Sequence, residues 1–565
     1  MKNFTSYFSL FLFLFSFCLT AQSFQWGGTF GGFGEDVVRD MHTDASGNTY
    51  TTGYFTDVAD FDISAAEANL ISNGLYDLFV LKTNSAGNYE WAINIGSESF
   101  EYGVGITTDA DGNVYVTGYY DGTADFDPGV GETILTSLGG GDIFILKLNA
   151  DGEFLWAKSV GGTDYEESTA IAVSPTGIVT VIGYFYEPAD FNPGPDEFIL
   201  TSEGASDTFL LNLDQDGTFI SAQRYGGPDL DLALDMKVNS AGHLYITGYF
   251  EGTSDFDPRN SEEFNLTSST EGFSSYLLHI NNTGELVSAG ATHDGLAEVR
   301  AIAVDANDNI YLTGHFGGTV NFSFDAANTD YILTSELAYN AFAMKINPMG
   351  ILEWAKSIES NEAVFGYDVT VDAAGHVFTT GYFAATADFD PDSSATFNLN
   401  KQTANATDAY IWALDTDGNF INAFTFGGAN FLDAHTIGID GQGFVYLSGH
   451  FETTVDINPL EGETLEATAL DFRDNYIIKM AATTLGVPSN DYEKITVFPN
   501  PVGSVVYVGN TQNMLGKSYL VYDALGRIVL SGSFDNAAQV NMETLSSGIY
   551  YLNIAGHQTI KLIKN

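Results

Sequence analysis

Cysteine is nearly absent. The one cysteine, Cys18, lies in an apolar N-terminal run and follows Phe17 rather than a small residue, so no lipid-anchor signal is expected there. Cleavage near Ala21 or Gln22 would leave a mature chain without a thiol. That excludes disulfides and thiolate metal sites and leaves stability to packing and strand pairing. Positive charge is scarce as well. Residues 22–493 carry 13 Lys and Arg against 71 Asp and Glu, a net of −58, which argues against nucleic acid or anionic lipid as a partner. Long amphipathic helical periodicity is missing. Beyond the leader no stretch is long and apolar enough to span a bilayer, so no transmembrane segment is expected. There is no nucleophile elbow, no His-Glu-x-x-His and no phosphate-binding loop.

The leader has the form of a secretory signal, residues 1–21. Lys2 supplies a short basic start, Tyr7 to Leu19 an apolar run of 13 residues, and Leu19-Thr20-Ala21 a small-residue end. After it, the composition favours strands and tight turns: 60 glycines and 73 Phe plus Tyr in a chain that is 44% hydrophobic.

One phrase recurs seven times: Thr52-Gly53-Tyr54-Phe55, Thr117-Gly118-Tyr119-Tyr120, Ile182-Gly183-Tyr184-Phe185, Thr247-Gly248-Tyr249-Phe250, Thr313-Gly314-His315-Phe316, Thr380-Gly381-Tyr382-Phe383 and Ser448-Gly449-His450-Phe451. Its glycines are 65, 65, 65, 66, 67 and 68 residues apart. A fixed long period built from short strands is the mark of a radial or stacked array. One unit, Tyr165 to Gly227, reads as strands Thr169–Val173, Val179–Phe185, Asp207–Leu213 and Phe219–Tyr225, here termed a to d. The Ser174-Pro175-Thr176-Gly177 and Asp214-Gln215-Asp216-Gly217 turns join a to b and c to d. Four antiparallel strands repeated seven times predict an all-β fold, a seven-bladed β-propeller over residues 22–480, with a stacked solenoid as the alternative. The seventh unit stops after its c strand, Asn475 to Met480. The missing d strand is found at the other end, as Phe24-Gln25-Trp26-Gly27-Gly28, so the N-terminal strand is expected to complete the last blade.

The repeats resemble the bacterial surface-protein propeller repeat known as SBBP. The likeness is carried by Asp109-Ala110-Asp111-Gly112-Asn113-Val114-Tyr115-Val116-Thr117-Gly118 and by Asp142-Ile143-Phe144-Ile145-Leu146-Lys147-Leu148-Asn149-Ala150-Asp151-Gly152. It bears on architecture and says little of function.

Residues 481–493 read as a linker and 494–565 as a second domain. Its charge shifts to 5 Lys and Arg against 3 Asp and Glu, and its short strands suit a small β-sandwich. Pro499-Asn500-Pro501, Tyr522-Asp523 followed by Gly526-Arg527, Gly548-Ile549-Tyr550-Tyr551 and the Lys561 to Lys564 end resemble the type A sorting domain of the type IX secretion system of Bacteroidetes. That resemblance implies export by a Sec signal and then across the outer membrane. The secretion machinery would be a partner of this domain, and the protein would be displayed on the surface or released. A ligand-binding sandwich is the alternative.

Strand parity puts the b–c and d–a connections on one rim, and the long b–c loops make that rim the expected binding face for a glycan or protein. Each loop repeats a pair of oxygen-bearing side chains: Asp60 and Asp62, Asp125 and Asp127, Asp190 and Asn192, Asp255 and Asp257, Asn321 and Ser323, Asp388 and Asp390, Asp456 and Asn458. The carboxylate pairs Asp60/Asp62, Asp125/Asp127, Asp255/Asp257 and Asp388/Asp390 are candidate calcium ligands. The competing reading is that the first Asp caps turn amides while the intervening Phe anchors the loop; repetition in every unit suits that structural task. Turns such as Asp109-Asp111 and Asp415-Asp417 are too short for an EF-hand and read as hairpins. His315 and His450 replace Tyr as packing variants. Trp26, Trp91, Trp156 and Trp354 share one repeat position and read as core. The functional expectation is a secreted, surface-displayed binding or adhesion propeller. The alternatives are an extracellular hydrolase or lyase, with catalysis assembled at the ring centre, and a structural surface-layer protein.

Overall fold

The computed structural model divides into two compact units, Met1–Gly486 and Val487–Asn565. It describes residues 24–482 except 65, 258, 260–262, 271, 325–329, 404–405, 429 and 461–463, together with 497–498, 501–508, 518–523, 527–534, 539–554 and 560–564. The expected signal (1–21), nearly all of the linker, and Pro499, Asn500 and Gly526 of the tail motifs lie outside the described residues.

The first unit is all strand and turn. Among the described residues it contains seven four-stranded antiparallel sheets, three of them lengthened by two short strands from an adjoining loop. In the third sheet the strands are Glu166–Val173, Val179–Phe185, Asp207–Leu213 and Phe219–Tyr225. The first strands of successive sheets lie side by side, and that of the seventh, Thr436–Ile439, lies against that of the first, Val37–Thr43. The seventh sheet draws its fourth strand from the N-terminus: Phe24–Gly32 pairs antiparallel with Asp474–Ala481, Phe24 opposite Met480 and Phe30 opposite Asn475.

Burial grades across each sheet. In the first sheet the second strand, Thr49–Phe55, is buried along its whole length, and the fourth, Tyr89–Ile95, is mostly half-buried. Such runs arise because the middle strands are covered on both faces by neighbouring sheets. The glycine of the repeated phrase follows from a bulge. In each of the first six sheets the first strand gains one residue opposite this glycine, between Val38 and Asp40 in the first and between Gly366 and Asp368 in the sixth. The bulge drives a carbonyl across the partner strand. A Cβ on Gly53 would meet the Val37 carbonyl oxygen, and one on Gly248 that of Leu232. Only glycine fits there. The preceding residue closes the ladder on the other side: Thr52 Oγ1 donates to the Phe79 carbonyl at 2.9 Å, and Thr117 Oγ1 to that of Phe144 at 2.9 Å.

The tryptophans at the shared repeat position fasten one sheet to the next rather than simply filling the core. The Trp91 indole N–H and the Lys82 ammonium both donate to the Ala150 carbonyl of the following sheet, at 3.2 and 2.9 Å. Trp156 with Lys147 does the same to Gln215, and Trp354 with Lys345 to Thr416. Each lysine also lies over a tyrosine ring, Lys147 at 4.8 Å from that of Tyr115.

Among its described residues the second unit has a three-stranded sheet, in the order Val497–Phe498, Val505–Val508, Gln539–Asn541, and a four-stranded sheet, in the order Ile528–Ser533, Ser518–Asp523, Gly548–Ile554, Ile560–Lys564. Val506, Val540, Val521, Leu552 and Leu562 form their shared core.

Candidate functional site

The bulge that demands glycine also turns one side chain per sheet inward. The residues so placed are Arg39, Val104, Thr169, Leu234, Arg300, Tyr367 and, in the seventh sheet, His435. All of them line a single cavity of about 700 Å³ walled by the first strands of all seven sheets.

Deeper along the wall, Asp40, Asp235 and Asp368 follow three of the bulges. Each stitches its sheet to another: Asp40 Oδ2 accepts from the Ile106 amide at 2.9 Å, Asp235 Oδ2 from Ile302 at 3.0 Å and Asp368 Oδ2 from Ile437 at 2.8 Å. Burial pushes Asp40 up to about 6 and Asp368 up to about 7. Lys237 reaches in at 3.1 Å from Asp235. Partial desolvation inside the cavity opposes its charge, but Asp235, Asp368 and Asp40 outweigh that and raise its pKa.

One mouth of the cavity, at the end of the b strands, carries an aromatic collar. Tyr54 stacks on Tyr76 at 4.4 Å, Tyr102 on Tyr119 at 5.0 Å, Phe365 on Tyr382 at 5.1 Å and Phe431 on His450 at 5.4 Å. Cations are set into it. Arg39 is exposed over the Tyr54 ring at 5.7 Å and makes no ion pair among the described residues. Arg300 lies over Tyr367 at 5.1 Å, with Glu298 at 3.4 Å. Glu167 accepts from the hydroxyls of Tyr165 at 2.6 Å and Tyr184 at 2.5 Å. Burial, then the Glu167 charge, raise the pKa of both phenols.

The seventh sheet adds an ionisable cluster. Asp433 is buried, 3.3 Å from His450 Nδ1 and 3.8 Å from His435 Nδ1. Burial works against the Asp433 charge, but His450, His435 and the His450 amide together hold its pKa below the ordinary value. Burial pushes His450 down to about 4, and likewise His315 down to about 3.

The eight carboxylates singled out in the b–c loops stand apart from this cavity. The first of each pair caps backbone. Asp60 Oδ1 accepts from the Asp62 and Ala68 amides at 3.0 and 2.8 Å, and Asp125 Oδ1 from Asp127 and Thr133 at 3.1 and 2.7 Å. Asp255 accepts from Asp257 and Phe264, and Asp388 from Asp390 and Phe397. Asp62, Asp127 and Asp390 in turn cap Ser64, Gly129 and Asp392. Phe61, Phe126, Phe256 and Phe389 are fully buried between the pairs. Among the described residues, no group of three or more His, Cys, Asp or Glu is arranged to hold a metal. The short turns are hairpins: Asp109 Oδ1 accepts from the Asp111 and Asn113 amides, with Gly112 at φ 81°.

The sequence missed Arg39, Arg300, Tyr367 and His435 because the bulge positions share no residue type. The repeated glycine was the available signal, since it marks where the bulge must be.

Residues 496–565 match the family model described as the secretion system C-terminal sorting domain. The protein is therefore a secreted or cell-surface protein of the Bacteroidetes type. No helix among the described residues is long and apolar enough to cross a membrane. An uncharacterized WD repeat-containing protein of Acanthamoeba polyphaga mimivirus is 24% identical over 383 residues, covering 58% of this chain and 27% of that one. The regulatory protein FlaEY of Caulobacter vibrioides is 30% identical over 145 residues, 25% of this chain and 15% of that one. The chain thus matches less than a third of the length of either curated relative. Among solved structures, a protein of unknown function from Bacteroides caccae aligns with a TM-score of 0.28 at 10% identity, covering 62% of this chain and 90% of that one.

Proposed function

We propose that the chain is a secreted, surface-displayed binding protein whose repeat region is a seven-bladed β-propeller, and that its ligand docks on the collared mouth of the central cavity. The single observation that carries this reading is Arg39. In a region with a net charge of −58, an exposed guanidinium stands over a tyrosine face at the opening, with no carboxylate among the described residues paired to it. A planar cation beside stacked rings suits a ligand that offers an acidic group and a flat apolar face, as an acidic oligosaccharide does. Arg300, on the same cavity wall, offers a second contact to the acid. The cyclic adjacency of the first strands and the pairing of Phe24–Gly32 with Asp474–Ala481 support the propeller reading, as does the repeat's resemblance to SBBP. The sorting domain is the part that the secretion machinery would engage.

The test is a screen of the mature protein on arrayed oligosaccharides and whole cells, beside Arg39→Ala and Arg300→Ala. Carboxylated or sulfated glycans should bind and neutral ones should not, and the arginine variants should lose the signal. Equal binding by the variants would refute the mouth as the site. A second reading, an extracellular hydrolase or lyase, is favoured by Asp433, His435 and His450, an ionisable group confined to one sheet. Turnover of a bound glycan, abolished by His435→Ala, would select it.

A further inference from the structure

Several boundaries between sheets bury two acids together. At the boundary of the third and fourth sheets these are Asp207, 0% exposed, and Asp231, 1% exposed. Gly226 runs between them: a Cβ there would stand 2.6 Å from Asp207 Oδ1 and 2.9 Å from Asp231 Oδ2. The chain supplies its own counter-charge at this point. The Arg224 guanidinium lies 2.6 Å from Asp207 Oδ2 and 2.8 Å from Glu203.

The boundary that joins the two ends of the repeat region has the same acids without the cation. Among the described residues Asp77 with Glu101 and Asp142 with Glu166 also lack one, but there Ser72 and Asn73 donate to Asp77, Ser97 to Glu101, and Leu138 and Ser159 to Asp142. Asp474 corresponds to Asp207 and Asp36 to Asp231. A Cβ on Gly31 would stand 2.9 Å from both Asp36 Oδ2 and Asp474 Oδ1, so the two carboxylates share one small space. Thr29 occupies the register position that Arg224 holds in the third sheet: it pairs with Tyr476 as Arg224 pairs with Phe209. Among the described residues no lysine or arginine pairs with either acid; the neighbouring Arg473 is turned to Glu35 and Glu452. Asp36 and Asp474 are 1% and 6% exposed; Asp474 Oδ1, which faces the shared space, is buried with no hydrogen-bond partner, while Asp36 is also approached by the Thr56 backbone. Asp36 Oδ2 accepts from the Gly32 amide at 2.6 Å and Asp474 Oδ2 from the Leu470 amide at 3.2 Å.

Two ionised carboxylates cannot be buried side by side without a compensating charge. We infer that a hard metal cation, of the calcium type, binds between Asp36 and Asp474 and ties the N-terminal segment to the last strand of the repeat region. Oxygen-only donors suit such an ion. The site is distinct from the b–c loops and does not depend on the glycan reading.

The experiment uses the mature full-length protein, stripped with chelator and titrated with calcium alone in excess sodium chloride. Heat of binding and a rise in melting temperature are expected, both lost in Asp36→Asn/Asp474→Asn and retained in Asp125→Ala/Asp127→Ala. Arg224→Gln should add one further calcium equivalent, at Asp207 and Asp231. Wild-type crystals grown with terbium need no variant, and an anomalous peak should lie between Asp36 and Asp474. Calcium binding that survives in the asparagine pair, terbium confined to the b–c loops, or a protein that responds to pH but binds no calcium would each overturn the assignment.

Discussion

Trp26, at the start of the repeat region, and Lys479, near its end, donate to one acceptor. The Ser85 carbonyl takes the indole N–H at 3.2 Å and the ammonium at 3.0 Å. The same clasp recurs inside the chain, but here it joins both termini to the turn of the first sheet. It gives the missing-strand count in the sequence a physical anchor.

Trp26→Ala should therefore destabilise the repeat region. The ring is half-buried, so the loss should be about 2–3 kcal/mol, below the ~3–5 kcal/mol of a fully buried ring. Deleting Gln22 to Gly28 should cost more, because Asp474–Ala481 would then have an unpaired edge. Urea midpoints measure both, and an unchanged midpoint in the deletion would contradict the role given to the N-terminal strand.

Acidification should stabilise the protein in chelator. Burial pushes Asp36 up to about 8 and Glu101, Glu166 and Asp231 up to about 7. Unfolded carboxyls titrate near ~4, so the folded state holds more protons between there and pH 8. This stabilisation is complete below the unfolded pKa and is lost as pH rises through 7 to 8. Melting temperature should climb as pH falls from 8.5 toward 5, and relief of surface repulsion acts in the same direction. Glu101→Gln should flatten the slope, since surface repulsion is nearly unchanged by one buried substitution. A melting temperature that falls on acidification over that range would count against these burials.

Asp125→Ala should cost about 1–3 kcal/mol by leaving the Asp127 and Thr133 amides without their acceptor. Calcium bound by these loops would instead appear as a calcium response lost in Asp125→Ala/Asp127→Ala and kept in a variant of Asn321 and Ser323, where the carboxylates are lacking. Calorimetry on the two variants separates a turn cap from a ligand.

Removal of residues 494–565 should leave a folded repeat region inside the cell envelope. Fractionation and surface labelling report it, and normal display of the truncated chain would contradict the sorting role of the tail.

Much of the fold was legible because strand alternation and turn chemistry agree in every repeat. The strands read as Val179–Phe185, Asp207–Leu213 and Phe219–Tyr225 have those limits in the structure. The first strand begins at Glu166 rather than Thr169, because its opening residue is a buried acid and its fourth a bulge, and neither follows the apolar alternation. The site was not legible for the same reason. Arg39, Leu234 and Tyr367 occupy one geometric position without sharing chemistry. Trp91 was visible as a repeated aromatic, but its partner, the Ala150 carbonyl, belongs to the next repeat and leaves no trace in side-chain pattern.

A crystal structure of the mature protein with its strongest-binding acidic oligosaccharide decides whether an acidic ligand sits on the collared mouth. The ligand's acidic group is expected against the Arg39 guanidinium and a sugar face on the tyrosine collar, with Arg300 within reach. A ligand seated on the outer b–c loops, away from Arg39 and Arg300, would contradict that placement.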